Sequence, residues 1–157
     1  RWWVLVACAS MIALAWSRTA SRASWSLLDD RAARLFVASV DVQNPDLTAH
    51  LLSPDFFDAE RFPELRFRAE DVSLDGGEIT ADGEITIKGV TKPVTITGTV
   101  TPPIADPWGM QRLGITVTAA VDRTEFGLNW NNPLPTGDLA LANDVTITAE
   151  LQFVQAT

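Results

Sequence analysis

One cysteine, Cys8, and one histidine, His50, are all that the 157-residue chain has of either type. A lone cysteine excludes an internal disulfide, and one Cys with one His excludes the usual zinc sites, which take four such ligands. We therefore expect no metal and no cofactor. Basic residues are also few: 12 Lys and Arg stand against 20 Asp and Glu, for a net charge of −8. Phosphate contacts need clustered Lys and Arg, so a nucleic-acid partner is not expected. Convincing helical periodicity is missing downstream of the first 36 residues. Apolar residues nonetheless make up 46% of the chain, enough for one domain with a real core.

The N-terminal segment is made of different material. Trp2 to Trp16 is apolar apart from Ser10, with Arg1 before it and Arg18 shortly after. A membrane span needs about 20 such residues, and this run is shorter. It matches the apolar region of a signal peptide, with small residues at Ala20, Ser21, Ala23 and Ser24 offering cleavage sites. Because the chain opens on Arg1 rather than methionine, we expect residues upstream of it. Leu5-Val6-Ala7-Cys8 also resembles a lipoprotein box, although Ala9 to Trp16 stays apolar where a lipoprotein linker turns polar. A third reading is the end of a membrane helix. Each places the remainder outside the cytoplasm, periplasmic or secreted. The expected division is residues 1–24 as an apolar, helical leader or membrane anchor, and 25–157 as the folded domain.

The most informative stretch is Glu78 to Thr101. Ile79, Ala81, Gly83, Ile85 and Ile87 alternate with polar residues, and after Gly89-Val90-Thr91-Lys92-Pro93, taken as a turn, the alternation resumes at Val94, Ile96, Gly98 and Val100. A period of two gives each strand one apolar face, and the glycines suggest room behind it. Further strands are expected over Leu35 to Val42, from Phe62-Pro63 through Leu65, Phe67 and Ala69, over Ile115, Val117, Ala119 and Val121, and over Val145, Ile147, Ala149, Leu151 and Phe153. Asp75-Gly76-Gly77 is a hairpin turn. His50 to Asp58 reads as irregular or as a short helical turn. Short strands with regular turns predict an all-β fold, an antiparallel sandwich or barrel.

Several ordered motifs narrow this. They are His50-Leu51-Leu52-Ser53-Pro54-Asp55-Phe56-Phe57, Phe62-Pro63-Glu64-Leu65-Arg66-Phe67, Ile85 to Val94 with its Ile-Lys-Gly-Val-Thr-Lys-Pro-Val, and Asp106-Pro107-Trp108-Gly109. Arg112-x-Gly114 and Asp122-Arg123-Thr124-Glu125-Phe126-Gly127-Leu128 with Trp130-Asn131 follow. Together they resemble the YceI-like family, lipocalin-like β-barrels that bind polyisoprenoid lipids in the bacterial periplasm. The resemblance runs from about Ala38 to Phe153. Family members have long strands ahead of the segment that Leu35 to Val42 resembles, and these are not evident here. The resemblance therefore implies a lipocalin-like barrel that is incomplete at its N-terminal side, five good strands and one or two weaker ones against the roughly eight of a closed barrel.

It also implies a non-catalytic carrier of a polyisoprenoid or isoprenoid quinone. The expected cavity wall comprises Phe56, Leu65, Phe67, Ile79, Ile85, Ile87, Val94, Ile96, Val100, Ile115, Val117, Phe126, Trp130, Val145, Ile147 and Leu151. The same alternation fits a solid core, and an interaction module built on one is the first alternative. Phe56 and Phe57 either cap the barrel or line its mouth; Trp108 and Trp130 either pin loops or stack on a head group. Arg66 and Arg68 fall on the polar face of their strand. A hydrolase using His50, Asp122 and Glu125 is the remaining alternative, but an ion pair of those carboxylates with Arg123 is the simpler expectation. Membrane association through the N-terminal segment and a homodimer are the further associations considered.

Overall fold

The computed structural model describes residues 3–4, 25–29, 32–40, 42 and 44–155, the first two stretches and Gln155 by their backbone alone. The fold is one antiparallel sheet. Its strands are β1 (Trp3–Val4), β2 (Trp25–Asp29), β3 (Ala32–Phe36), β4 (Glu64–Asp75), β5 (Glu78–Ile87), β6 (Val90–Val100), β7 (Ile104–Ala105), β8 (Gln111–Asp122) and β9 (Asp144–Gln155). They lie in the order β1-β9-β8-β6-β5-β4-β3-β2, with β7 pairing β8 off that path. The sheet curls into an incomplete barrel: among the described residues its two outer strands, β1 and β2, are not paired with one another. This is the all-β, lipocalin-like and unclosed architecture expected from the motifs.

Both tight hairpins owe their geometry to positive backbone angles. Gly76 and Gly77 (φ 57° and 90°) join β4 to β5, and Lys88 and Gly89 (φ 49° and 77°) join β5 to β6. Such pairs make the two-residue turns whose twist matches that of the strands. The turn expected over Gly89 to Pro93 is therefore shorter: it is Lys88-Gly89, and Val90 already pairs with Ile87. Gly83 and Gly98 do not leave space behind the sheet. A Cβ on Gly83 would lie 2.1 Å from the Arg68 carbonyl oxygen, and one on Gly98 would lie 1.9 Å from that of Thr116. These two positions admit neighbouring backbone where the sheet bends, at the β4 bulge in one case and at the β6–β8 junction in the other.

Two expectations need correction ahead of β4. The strand expected over Leu35 to Val42 ends at Phe36, because a 3₁₀ turn, Val37–Ser39, carries the chain off the sheet. Ser39 Oγ donates to the Phe36 carbonyl at 2.6 Å, and the buried Val37 donates its N–H to Pro63 O at 2.9 Å. A true helix then follows, α1 (Pro45–Leu52). Asn44 caps it by accepting from Leu47 N, Pro45 occupies the first turn and Asp46 faces the positive helix end. Eight residues are too few for a clear period of 3.6, so only this capping sequence could have revealed it. As for the apolar leader, Trp3–Val4 is extended against Val154 and Gln155 rather than helical, and residues 5–24 lie outside the described residues.

The core lies at one end of the curl. Leu35, Val37, Leu51, Phe56, Phe57, Leu65, Ile85, Ile87, Phe126 and Leu128 are among its buried members. α1, the segment Ser53–Pro63 and the loop after Asp122 cover this end. The hairpin turn is tied to that cover twice: Lys88 Nζ donates to Pro54 O at 2.8 Å, and the Phe62 ring packs where a Gly89 Cβ would otherwise stand, 2.7 Å away. Three of the sequence motifs thus meet at one junction.

Candidate functional site

The concave face divides into a packed end and a half-open end. Leu65 is buried on β4, Ile85 and Ile87 on β5, Val94 on β6, Val117 on β8, Val145 and Ile147 on β9, with Phe56 and Phe126 over them. Further along the same strands the apolar side chains are only partly covered: Phe67, Ile79, Ile96, Val100, Ile115 and Leu151. Register places both groups on one face, since Phe67 stands opposite Ile85, Ala81 opposite Ile96, Val100 opposite Ile115, and Ile115 opposite Leu151. Beyond the β4 bulge Val72 and Leu74 face Ala81 and Ile79, and they are exposed because β3 stops opposite Arg68.

A small apolar cavity of about 20 Å³ remains in the packed end, between Phe57, Leu65, Ile87, Val121, Leu128, Val145 and Ile147, with Arg123 at its edge. Room for about one water does not admit an isoprene unit.

Trp130 is held at the packed end, with its ring 4.7 Å from His50 and 5.4 Å from Phe56; His50 and Phe56 are 5.0 Å apart. These edge-on and tilted contacts fix all three rings. His50 Nε2 is buried and has no hydrogen-bond partner among the described residues. A general base also needs a group to orient it, and none stands at this nitrogen among the described residues. Trp130 and Phe56 therefore join the cover of the core, whereas Trp108 sits at the opposite end in solvent.

The Asp122–Arg123–Glu125 expectation is corrected. Among the described residues no salt bridge joins Arg123, 2% exposed, to Asp122 or Glu125; the hydrogen bonds of its guanidinium go to loop carbonyls and to the Asn143 side chain. Nε donates to Ala142 O at 2.9 Å, Nη1 to Leu128 O and to Trp130 O (3.0 Å), and Nη2 to Asn143 Oδ1 at 3.3 Å. Burial pulls its pKa down and the charge of nearby Asp122 opposes that. Asp122 itself caps the 3₁₀ turn Arg123–Phe126, accepting from Thr124 Oγ1 at 2.6 Å and Thr124 N at 2.8 Å. These bonds hold its carboxyl below the usual range against the opposing effect of burial, with a smaller Coulombic contribution from Arg123. Glu125 is exposed. The motif builds a loop anchor, and nothing in the sequence distinguished a guanidinium bound to carbonyls from one bound to carboxylates.

On the outer face Arg66 bonds Glu64 Oε2 through Nε (3.0 Å) and Nη2 (2.8 Å), while Arg34 reaches Glu64 Oε1 at 3.3 Å. These cations point away from the apolar rows, as alternation required. No group of three or more potential metal ligands occurs among the described residues.

Residues 16–153 match the YceI-like domain model. The chain belongs to the YceI-like family. It is 33% identical over 90 residues to Protein YceI of Escherichia coli O157:H7, covering 57% of this chain and 47% of that protein. A UPF0312 protein of Staphylococcus aureus is 33% identical over 122 residues, 77% of this chain and 69% of the relative. The chain thus spans about half the length of YceI from E. coli in that alignment. Among solved structures, Burkholderia cenocepacia BcnA superposes with a TM-score of 0.69 at 19% identity, covering 94% of this chain and 96% of BcnA. A YceI protein of Campylobacter jejuni gives 0.67 at 18% identity, covering 87% of this chain and 82% of that one. At such identities the likeness concerns the YceI-like fold.

Proposed function

We propose that this YceI-like chain is a non-catalytic carrier that sequesters the tail of a polyisoprenoid or isoprenoid-quinone lipid in the periplasm. The observation that carries the reading is the row of half-covered apolar side chains, Phe67, Ile79, Ile96, Val100, Ile115 and Leu151, continuous with the packed core. Each CH₂ withdrawn from water contributes about 0.8 kcal/mol, so each isoprene unit laid along these rows contributes a few kcal/mol before ordering losses. The capped Asp122, the carbonyl-bound Arg123 and the unaided His50 supply no nucleophile or oriented base, which favours carriage over hydrolysis.

The small cavity of the packed end favours, for that end, the rival reading of a solid interaction module. Mass spectrometry of an organic extract of the purified protein separates the two. The carrier predicts one stoichiometric prenyl lipid, lost when Leu151 and Ile115 are changed to Asp while the core end still folds. Well-folded protein that yields no lipid and takes up none from a prenyl-lipid suspension would refute it.

A further inference from the structure

We propose that the turn Asp106–Met110 is a membrane-contact tip, which seats the half-open end of the sheet on a neutral lipid bilayer. The inference rests on the carrier reading and deepens it, by giving the surface from which an amphiphile enters the concave face.

The tip is rigid. Asp106 Oδ1 accepts from Trp108 N at 2.9 Å and from Met110 N at 3.0 Å, and Oδ2 accepts from Arg112 Nε at 2.7 Å. Asp106 N donates to Met110 O and Gly109 N to Asp106 O, with Gly109 at φ 82°. The Asp106 side chain is 5% exposed. A turn organised this closely still leaves Trp108 79% exposed and the neighbouring Ile104 of β7 68% exposed. It orders the backbone in order to display the two apolar side chains, and an indole prefers the membrane–water boundary.

Charge points the same way. From Pro93 to Val121 the only charged residues are Asp106 and Arg112, and they neutralise one another across 2.7 Å. The tip itself therefore carries no unpaired charge into a low dielectric, where one would be costly, while the exposed Asp75 and Glu78 of the neighbouring β4–β5 hairpin stay in water beside it. The net charge of −8 disfavours anionic lipid and selects a zwitterionic surface. The tip is also continuous with the apolar rows. It leaves β6 after Val100 and enters β8 at Gln111, and the exposed Val72 and Leu74 lie at the same end of the sheet.

The test is flotation of the full chain with phosphatidylcholine vesicles, some carrying brominated acyl chains that quench indole. Removing two apolar side chains from the contact, Trp108→Ser with Ile104→Ser, is expected to weaken partition by about tenfold or more. The N-terminal apolar segment is present in both proteins and cannot account for the difference. Bromolipid should quench the fluorescence that Trp108→Phe removes, a readout that survives if the double variant folds poorly. Equal partition, unquenched Trp108 emission, binding to anionic vesicles alone, or a protein partner that retains Trp108 with no vesicle affinity would each overturn the tip. Uptake of a prenyl lipid from dilute ethanol, without vesicles, measures the carrier reading separately.

Discussion

Replacing Arg123 by methionine should be among the most damaging single changes in the packed end. The guanidinium satisfies the carbonyls of Leu128, Trp130 and Ala142 together with the Asn143 side chain. The Leu128 bond is fully buried and the others are partly so. One orphaned buried acceptor costs about 1–3 kcal/mol, and each of the others costs less because water reaches it. Methionine no longer desolvates a charge, which returns part of the loss. The net is a destabilisation of about 2–4 kcal/mol. For a chain of this size that corresponds to a fall in Tm of about 5–15 °C. Differential scanning calorimetry reads it directly, and urea unfolding should show a lower midpoint at unchanged slope. Arg123→Lys discriminates the cause. A lysine keeps the charge beside Asp122 but cannot span acceptors on several sides with one compact ammonium, so it should recover less than half of the loss. A lysine variant as stable as the wild type, or a methionine variant within about 2 °C of it, would refute the carbonyl-anchor argument.

Gly98→Ala should also destabilise, by about 1–3 kcal/mol, because its Cβ meets backbone that cannot rotate away; a variant with unchanged thermal midpoint would contradict the close approach seen at Thr116. The pH dependence follows from Asp106 and Asp122, both held below 3.8 when folded. For Asp106, burial pushes upward, but its bonds from Arg112, Met110 and Trp108 prevail. A carboxyl whose folded pKa is depressed stabilises above its unfolded pKa, and that contribution is lost as pH falls through the folded value. Stability should therefore decline below about pH 5 and keep falling below 3.8. Asp106→Asn with Asp122→Asn should flatten this acid limb in circular dichroism titrations, and an unaltered limb would assign it to other carboxyls.

The strands were legible because their apolar residues recur every second position and their turns carry glycine: β4, β5, β6, β8 and β9 all lie where alternation put them. What escaped was set by interactions the pattern does not encode. α1 is too short to repeat its period, and the exit of the chain at Val37 depends on a bond to Pro63, 26 residues on. Alternation also treats Ile85 and Ile115 alike, although one is buried under α1 and its flanking segments and the other lies in the half-open row. Gly83 and Gly98 look like missing side chains in the sequence. Their role is visible only once the neighbouring carbonyls are in place.

The pairing of β6 with β8 has a consequence for how the wall can deform. Only four residue pairs join these strands, Thr97↔Thr118 to Val100↔Ile115, whereas β5 and β6 share ten and β8 and β9 share eleven. From β4 to β9 the sheet is in effect two stiff plates stitched along one short seam. Bending at that seam changes the girth of the concave face while leaving the long ladders on either side intact. On the carrier reading, the wall could thus adjust to ligands of different girth by flexing one joint, with Gly98 as its pivot, instead of repacking its core.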